Sequence, residues 1–106
     1  GSFRSVSYGF GFFMLVYILY SKQIDRYYIG QTEDLSVRLN QHLTKVLPHS
    51  YTQLASDWEV FFTIDCDSRK QAVGIENHIK KMKSSQYIRN LKTYPEIVEK
   101  LKLKYN

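Results

Sequence analysis

Two phenols, a guanidinium, an imidazole and a carboxylate along this chain are residue types that could do chemistry: Tyr17, Tyr28, Arg38, His42 and Glu76. Arg38 and His42 stand at i and i+4, so on a helix they form one stripe, and two potential cations beside two phenols suit an anionic phosphate. Glu76 falls between Ile75 and Ile79. A charged residue seldom holds such a position unless it is paired or metal-bound, and one carboxylate with several waters is a common way to hold Mg²⁺. Each residue also has a plain structural explanation. Tyrosines are ordinary strand residues, an arginine at an apolar edge snorkels, and Glu76 is placed for an i,i+4 ion pair with Lys80.

The elements that must position these groups follow from the hydrophobic pattern. Val16 to Tyr20 and Arg26 to Ile29 are rich in β-branched and aromatic residues and flank the polar SKQID, which predicts a hairpin with Gly30 ending its second strand. Tyr17 and Tyr28, at similar distances from the turn, are expected roughly opposite each other. Thr32-Glu33-Asp34 predicts a helix start with acids in its first turn, followed by Leu35, Leu39 and Leu43 at four-residue spacing and an end before Pro48. Pro48 to Asp57 is polar and predicts a loop, and WEVFFTI (58–64) a third strand. Asp67 or Ser68 can cap the next helix, whose apolar positions are Ala72, Ile75, Ile79 and Met82. Tyr94-Pro95 separates a short helical piece near Ser85 to Leu91 from a last helix carrying Ile97, Val98, Leu101 and Leu103. The expected fold is α/β, in the order β-β-α-β-α-α: a small sheet with helices packed on it.

At 106 residues and 43% hydrophobic content the chain fits one domain with a real core. Its net charge of +5 is unevenly spread. Between Arg69 and Lys104 ten basic residues face three acidic ones, whereas the first 68 residues hold five basic and seven acidic. That asymmetry points to a polyanionic partner, with Lys80, Lys81, Lys83, Arg89 and Lys92 as candidate nucleic-acid contacts. The lone Cys66 excludes an internal disulfide and a cysteine cluster for zinc, and fits a reducing, cytoplasmic compartment. FGFFMLVYILY (10–20) is shorter than the roughly 20 residues of a membrane span and lacks a small-residue cleavage site, so no membrane partner is expected. Gly1 and Ser2 resemble a cleavage scar and Met14 a natural start, so residues 1–13 are expected to be leader and 14–106 the domain.

Taken in order, LVYI (15–18), YIG (28–30), RLNQH (38–42) and IENHIK (75–80) resemble the GIY-YIG nuclease family, closest to its small single-domain bacterial members. Leu15-Val16-Tyr17 departs from the Gly-Ile-Tyr of the family's name. The resemblance covers nearly all of residues 14–105. It implies a three-stranded antiparallel sheet flanked by helices, and endonucleolytic hydrolysis of DNA phosphodiesters with one divalent metal, Mg²⁺ or Mn²⁺, and no small-molecule cofactor. Carried over, it implies that Tyr17 helps activate water, that Tyr28 is the second tyrosine, that Arg38 stabilises the phosphorane and that Glu76 holds the metal. His42 matches a position near the nucleophile, and Asn90 is the candidate for a late asparagine. A phenol with an ordinary pKa of about 10 is a poor base at neutral pH, so Tyr17 and His42 stay rival proton acceptors. The alternatives are a nucleic-acid-binding domain of the same fold with little cleavage, and a protein-interaction domain. No zinc finger or helix-turn-helix motif occurs in these residues, so weak sequence specificity is expected. DNA repair, recombination and defence against foreign DNA are all compatible with that.

Overall fold

Met14 to Leu19 are buried without a break, as an unalternating apolar run requires of a strand covered on both faces. In the computed structural model, which describes residues 14–43 and 54–106, this strand is β1 (Met14–Ser21), the centre of a three-stranded antiparallel sheet. Its neighbours are β2 (Arg26–Thr32) and β3 (Glu59–Cys66), in the order β2-β1-β3. Helix α1 (Leu35–Leu43) lies between β2 and β3 in the chain. Three helices follow β3: α2 (Arg69–Met82), α3 (Ser85–Thr93) and α4 (Pro95–Lys104). The α/β class and antiparallel sheet are those expected, and the short helical piece after α2 is a helix in its own right.

The period of two along β1 divides the interior into two cores. Met14, Val16 and Ile18 face Ile29, Ile64 and Cys66 together with Ala72, Ile75 and Ile79 of α2, Ile88 and Leu91 of α3, and Leu101 of α4. Leu15, Tyr17 and Leu19 face the other way, with Ala55 and Trp58, against Leu35 and Leu39 of α1. The sheet is therefore sandwiched, with α1 over one face and α2–α4 over the other.

Local chemistry sets the boundaries. Asp34 Oδ1 accepts from the Val37 amide at 3.2 Å, so it caps α1 from outside and no acid lies in the first turn. Of the two candidate caps for α2, Ser68 serves, accepting from the Gln71 amide at 3.1 Å. Ser84 caps α3 in the same way, and Pro95 starts α4 where its missing N–H costs nothing. Strand β2 continues past Gly30 to Thr32, because Gly30, Gln31 and Thr32 still pair with Tyr17, Val16 and Leu15. Periodicity over-reached at helix ends: Leu43, Met82 and Leu103, expected on apolar faces, are exposed. Residues 1–13, and the predicted loop from Pro48 as far as residue 53, lie outside the described residues.

Buried polar groups are satisfied where they hold elements together. Gln71 on α2 accepts from the Asp67 amide at 2.8 Å and donates to the Lys102 carbonyl at 2.9 Å. Tyr105, just after α4, lies on Gly74, where a Cβ would come within 2.5 Å of its ring, and its hydroxyl meets His78 Nδ1 at 2.9 Å. These contacts fasten the chain end to α2.

Candidate active site

Tyr17 comes from the buried centre of the sheet, yet its ring reaches outward across edge strand β2. A Cβ on Gly30, its partner in the ladder, would lie 2.5 Å from the Tyr17 hydroxyl and 2.7 Å from Cζ. The missing side chain at Gly30 is thus what lets the phenol lie flat over β2. The two tyrosines share a face but are not directly opposite. Tyr28 pairs with Leu19, so it sits diagonally from Tyr17, with ring centroids 6.3 Å apart and planes tilted by 37°. That diagonal is within reach of aromatic rings, and it leaves the space opposite Tyr17 to Gly30.

Two further groups converge on this edge from opposite faces of the sheet. Arg38 arrives on α1, and Glu76 on α2; both act electrostatically on the Tyr17 phenol. Burial pushes that phenol well above the ordinary tyrosine range, Tyr28 adds to the effect, Arg38 opposes it, and Glu76 raises it further. The phenol therefore stays protonated at neutral pH. Glu76 is held on both oxygens: Oε1 accepts from Gln31 Nε2 at 2.8 Å, and Oε2 pairs with Lys80 Nζ at 2.7 Å. The plain ion-pair explanation of Glu76 is realised, but the carboxylate is only 12% exposed, far from a mere surface residue. A cleft of about 300 Å³ reaches Gln31 and is lined also by Arg38, Gln41, Arg69 and the acids Glu33 and Asp34.

A second groove, of about 410 Å³, opens where Lys80 leaves α2. Lys80, Lys83 and Arg89 line it with Arg26, while Asp25 is its single acid. Lys83 ends α2 in the left-handed region, with φ 49° and ψ 43°. Lys92 stands over the Phe61 ring, 4.8 Å from its centroid, and Lys81 is exposed on α2.

The family model for the GIY-YIG catalytic domain matches residues 13–90, well over half of the chain. The chain belongs to the GIY-YIG nuclease family. No curated protein and no solved structure matches it. Within this GIY-YIG domain, Tyr17, Tyr28, Arg38 and Glu76 come together around β2. The side chain of His42 lies outside the described residues, though its backbone belongs to α1, one turn after Arg38. Asn90 lies on α3, where its side-chain oxygen accepts from Gln86 at 3.0 Å and its carbonyl accepts from the Tyr94 amide. Sequence reasoning missed Gln31 and Arg26. The signal for Gln31 was its place directly after Tyr28-Ile29-Gly30, where strand alternation turns it to the α2 side.

Among the described residues no three histidine, cysteine or acidic side chains cluster as a metal cage. Glu76 offers a single carboxylate, largely covered, with the NH2 of Gln31 donating to it. A lone carboxylate fits a hard divalent ion, which takes oxygen ligands and retains waters, and does not fit zinc. Among the described residues no helix is long and apolar enough to cross a membrane.

Proposed function

We propose that this GIY-YIG domain is a metal-dependent DNA endonuclease. The observation that carries the reading is the convergence on one sheet edge of the Tyr17 phenol, Arg38 and the largely covered Glu76 carboxylate, each delivered by a different element. Hydrolysis of a phosphodiester needs an attacking water held in line, charge relief on the non-bridging oxygens and help for the leaving oxygen. Glu76 would hold Mg²⁺ or Mn²⁺, which when bound supplies Lewis-acid charge relief at the scissile phosphate. Arg38 is suited to the equatorial oxygens, since its planar fork donates two parallel hydrogen bonds. Tyr17 is protonated at neutral pH, so its hydroxyl orients the attacking water rather than deprotonating it. His42, one turn after Arg38 in α1, is the proposed proton acceptor.

The groove formed by Arg26, Lys80, Lys83 and Arg89 continues from the Glu76–Lys80 pair and is suited to the flanking DNA backbone. Its contacts are cationic, as expected for phosphate binding that is strong in charge and weak in sequence preference. Lys81, exposed on α2, and Lys92, over the Phe61 ring, are further candidate contacts. Asn90 remains a proposed site residue, since one bond accepted from Gln86 leaves its amide donors available.

The test is cleavage of single-stranded, duplex, flap and junction DNA with Mg²⁺, Mn²⁺ or EDTA. Metal-dependent scission of at least one form supports the reading. Salt-dependent binding of all forms with no scission under any metal would favour a binding domain of the same fold.

A further inference from the structure

Helix α2 lies along edge strand β2 in the opposite sense, and side chains tie the two together in successive rungs. Arg69 Nη2 meets Glu33 Oε2 at 3.4 Å at one end, and Gln31 Nε2 donates to Glu76 Oε1 at 2.8 Å in the middle. At the other end Lys80 lines a groove with Arg26 and Tyr27. Arg69, Glu76 and Lys80 stand seven and four residues apart, a spacing that keeps them on one stripe of the helix. Glu76 is the only acid of α2. Two depressions open along this seam, and each reaches one of the two side chains bonded to Glu76. The groove of about 410 Å³ takes in Lys80 with Lys83 and Arg89, and the cleft of about 300 Å³ takes in Gln31 with Arg38 and Arg69.

We propose that the DNA strand runs along this seam through both depressions, and that Arg69 holds a phosphate at the end away from Lys80. The inference deepens the nuclease reading given above and rests on it. From Arg69 to Lys80 the helix rises about 16 Å, the axial length of about five nucleotides of one strand, and Glu76 lies between the two cations. A guanidinium takes two phosphate oxygens at once, which suits Arg69 to hold the strand in register. The acids of the cleft are already engaged. Asp34 Oδ1 accepts from the Val37 amide at 3.2 Å as the cap of α1, and Glu33 is paired with Arg69. Both members of that pair are more than half exposed, at 61% for Arg69 and 62% for Glu33, and such a pair contributes little to stability. Arg69 therefore exchanges Glu33 for a phosphate at small cost, and Glu33 keeps the guanidinium at the seam until the strand arrives.

The experiment is a salt titration of DNA binding in EDTA, where no strand is cut, with whichever of the single-stranded, duplex, flap and junction forms wild type binds most tightly. Wild type is compared with Arg69→Gln, Glu33→Gln, the double variant and Lys70→Gln, each checked by thermal melt. Lys70 is an exposed cation beside Arg69 but off the stripe, so its loss reports the effect of net charge alone. Arg69→Gln is expected to weaken binding several-fold and to lower the salt slope by about 0.7 to 0.9, the value of one phosphate contact. Lys70→Gln is expected to keep the wild-type slope. Glu33→Gln is expected to raise affinity, and by more when Arg69 is present than when it is replaced. A wild-type slope in Arg69→Gln, or the same loss of slope in Arg69→Gln and Lys70→Gln, overturns the Arg69 contact. Cleavage by wild type in Mn²⁺ is measured in parallel: scission by wild type beside an inert Arg69→Gln substitution overturns the path through the cleft and leaves the nuclease reading standing. Absence of binding to every form by wild type overturns both.

Discussion

The Tyr17 hydroxyl lies 2.5 Å from the point where a Cβ on Gly30 would be, so the phenol and the empty face of the glycine form one structural unit. Gly30→Ala must push the ring off β2 or bend the strand. The expected outcome is a loss of about 1 to 3 kcal/mol in stability, the usual cost of overpacking, with a large drop in DNA cleavage. Thermal melts and plasmid nicking measure both. Wild-type cleavage by a folded Gly30→Ala protein would mean that the ring's place over β2 is irrelevant to the reaction.

Arg38→Ala is expected to lower the cleavage rate by roughly 10²-fold or more, the scale of removing one preorganised donor to transition-state charge. Arg38→Lys should recover little, because an ammonium cannot bridge two phosphate oxygens as the guanidinium does. Single-turnover cleavage rates decide it, and full activity in Arg38→Ala removes the residue from the site.

Lys83 holds a left-handed backbone conformation in which glycine is the easier residue. Lys83→Gly should therefore stabilise the protein by about 0.5 to 1 kcal/mol, the relief of the left-handed penalty less the entropy of glycine. The same change removes one cation from the groove beside Arg26 and Arg89. DNA binding should weaken for all sequences alike, and the salt dependence should lose about one unit of slope. A stabilised variant with an unchanged salt slope would place the DNA path elsewhere.

Much of this architecture was legible because it depends on short-range patterns. The unbroken run of β1, the four-residue spacing of Leu35 and Leu39, and Ser68 before α2 each respond to one local rule, and each appears in the structure. The relation between Tyr17 and Tyr28 was not legible. The register is set where the turn closes, on the Ser21–Arg26 pair, and that puts Gly30 opposite Tyr17 and Tyr28 opposite Leu19. Glycine at position 30 looked like a strand end, whereas its role comes from a ring contributed by another strand. Gln31 was invisible for a related reason: its significance lies in Glu76, which is distant in sequence and adjacent only once α2 covers the sheet. Met82 and Leu103 show the limit of helical periodicity, since apolar spacing continues past the point where a neighbouring element exists to cover it.

The raised Tyr17 pKa gives a pH-dependent stability of definite sign. Its folded value lies above the ordinary tyrosine value of about 10, so above that pH the folded protein binds more protons than the unfolded chain. The contribution is complete below about pH 10 and is lost as pH rises further. Tyr17→Phe removes this group, so its stability should fall less steeply than wild type between about pH 10 and 11.5. Urea melts across that interval measure the difference, and parallel slopes would mean that Tyr17 titrates as an ordinary phenol.

Glu76→Ala separates binding from cleavage and tests the central claim most directly. The account predicts that metal-dependent nicking falls below detection, because the ligand for the ion that relieves charge on the scissile phosphate has gone. Affinity for DNA in EDTA should stay the same or rise, since a negative charge near the phosphate path is removed and Lys80 is released from its pair. The protein should still fold, as its thermal melt would show. The measurement is plasmid nicking over a Mg²⁺ and Mn²⁺ titration, alongside DNA binding in EDTA. Intact binding with no cleavage is the predicted result, and full metal-dependent cleavage by folded Glu76→Ala would contradict it.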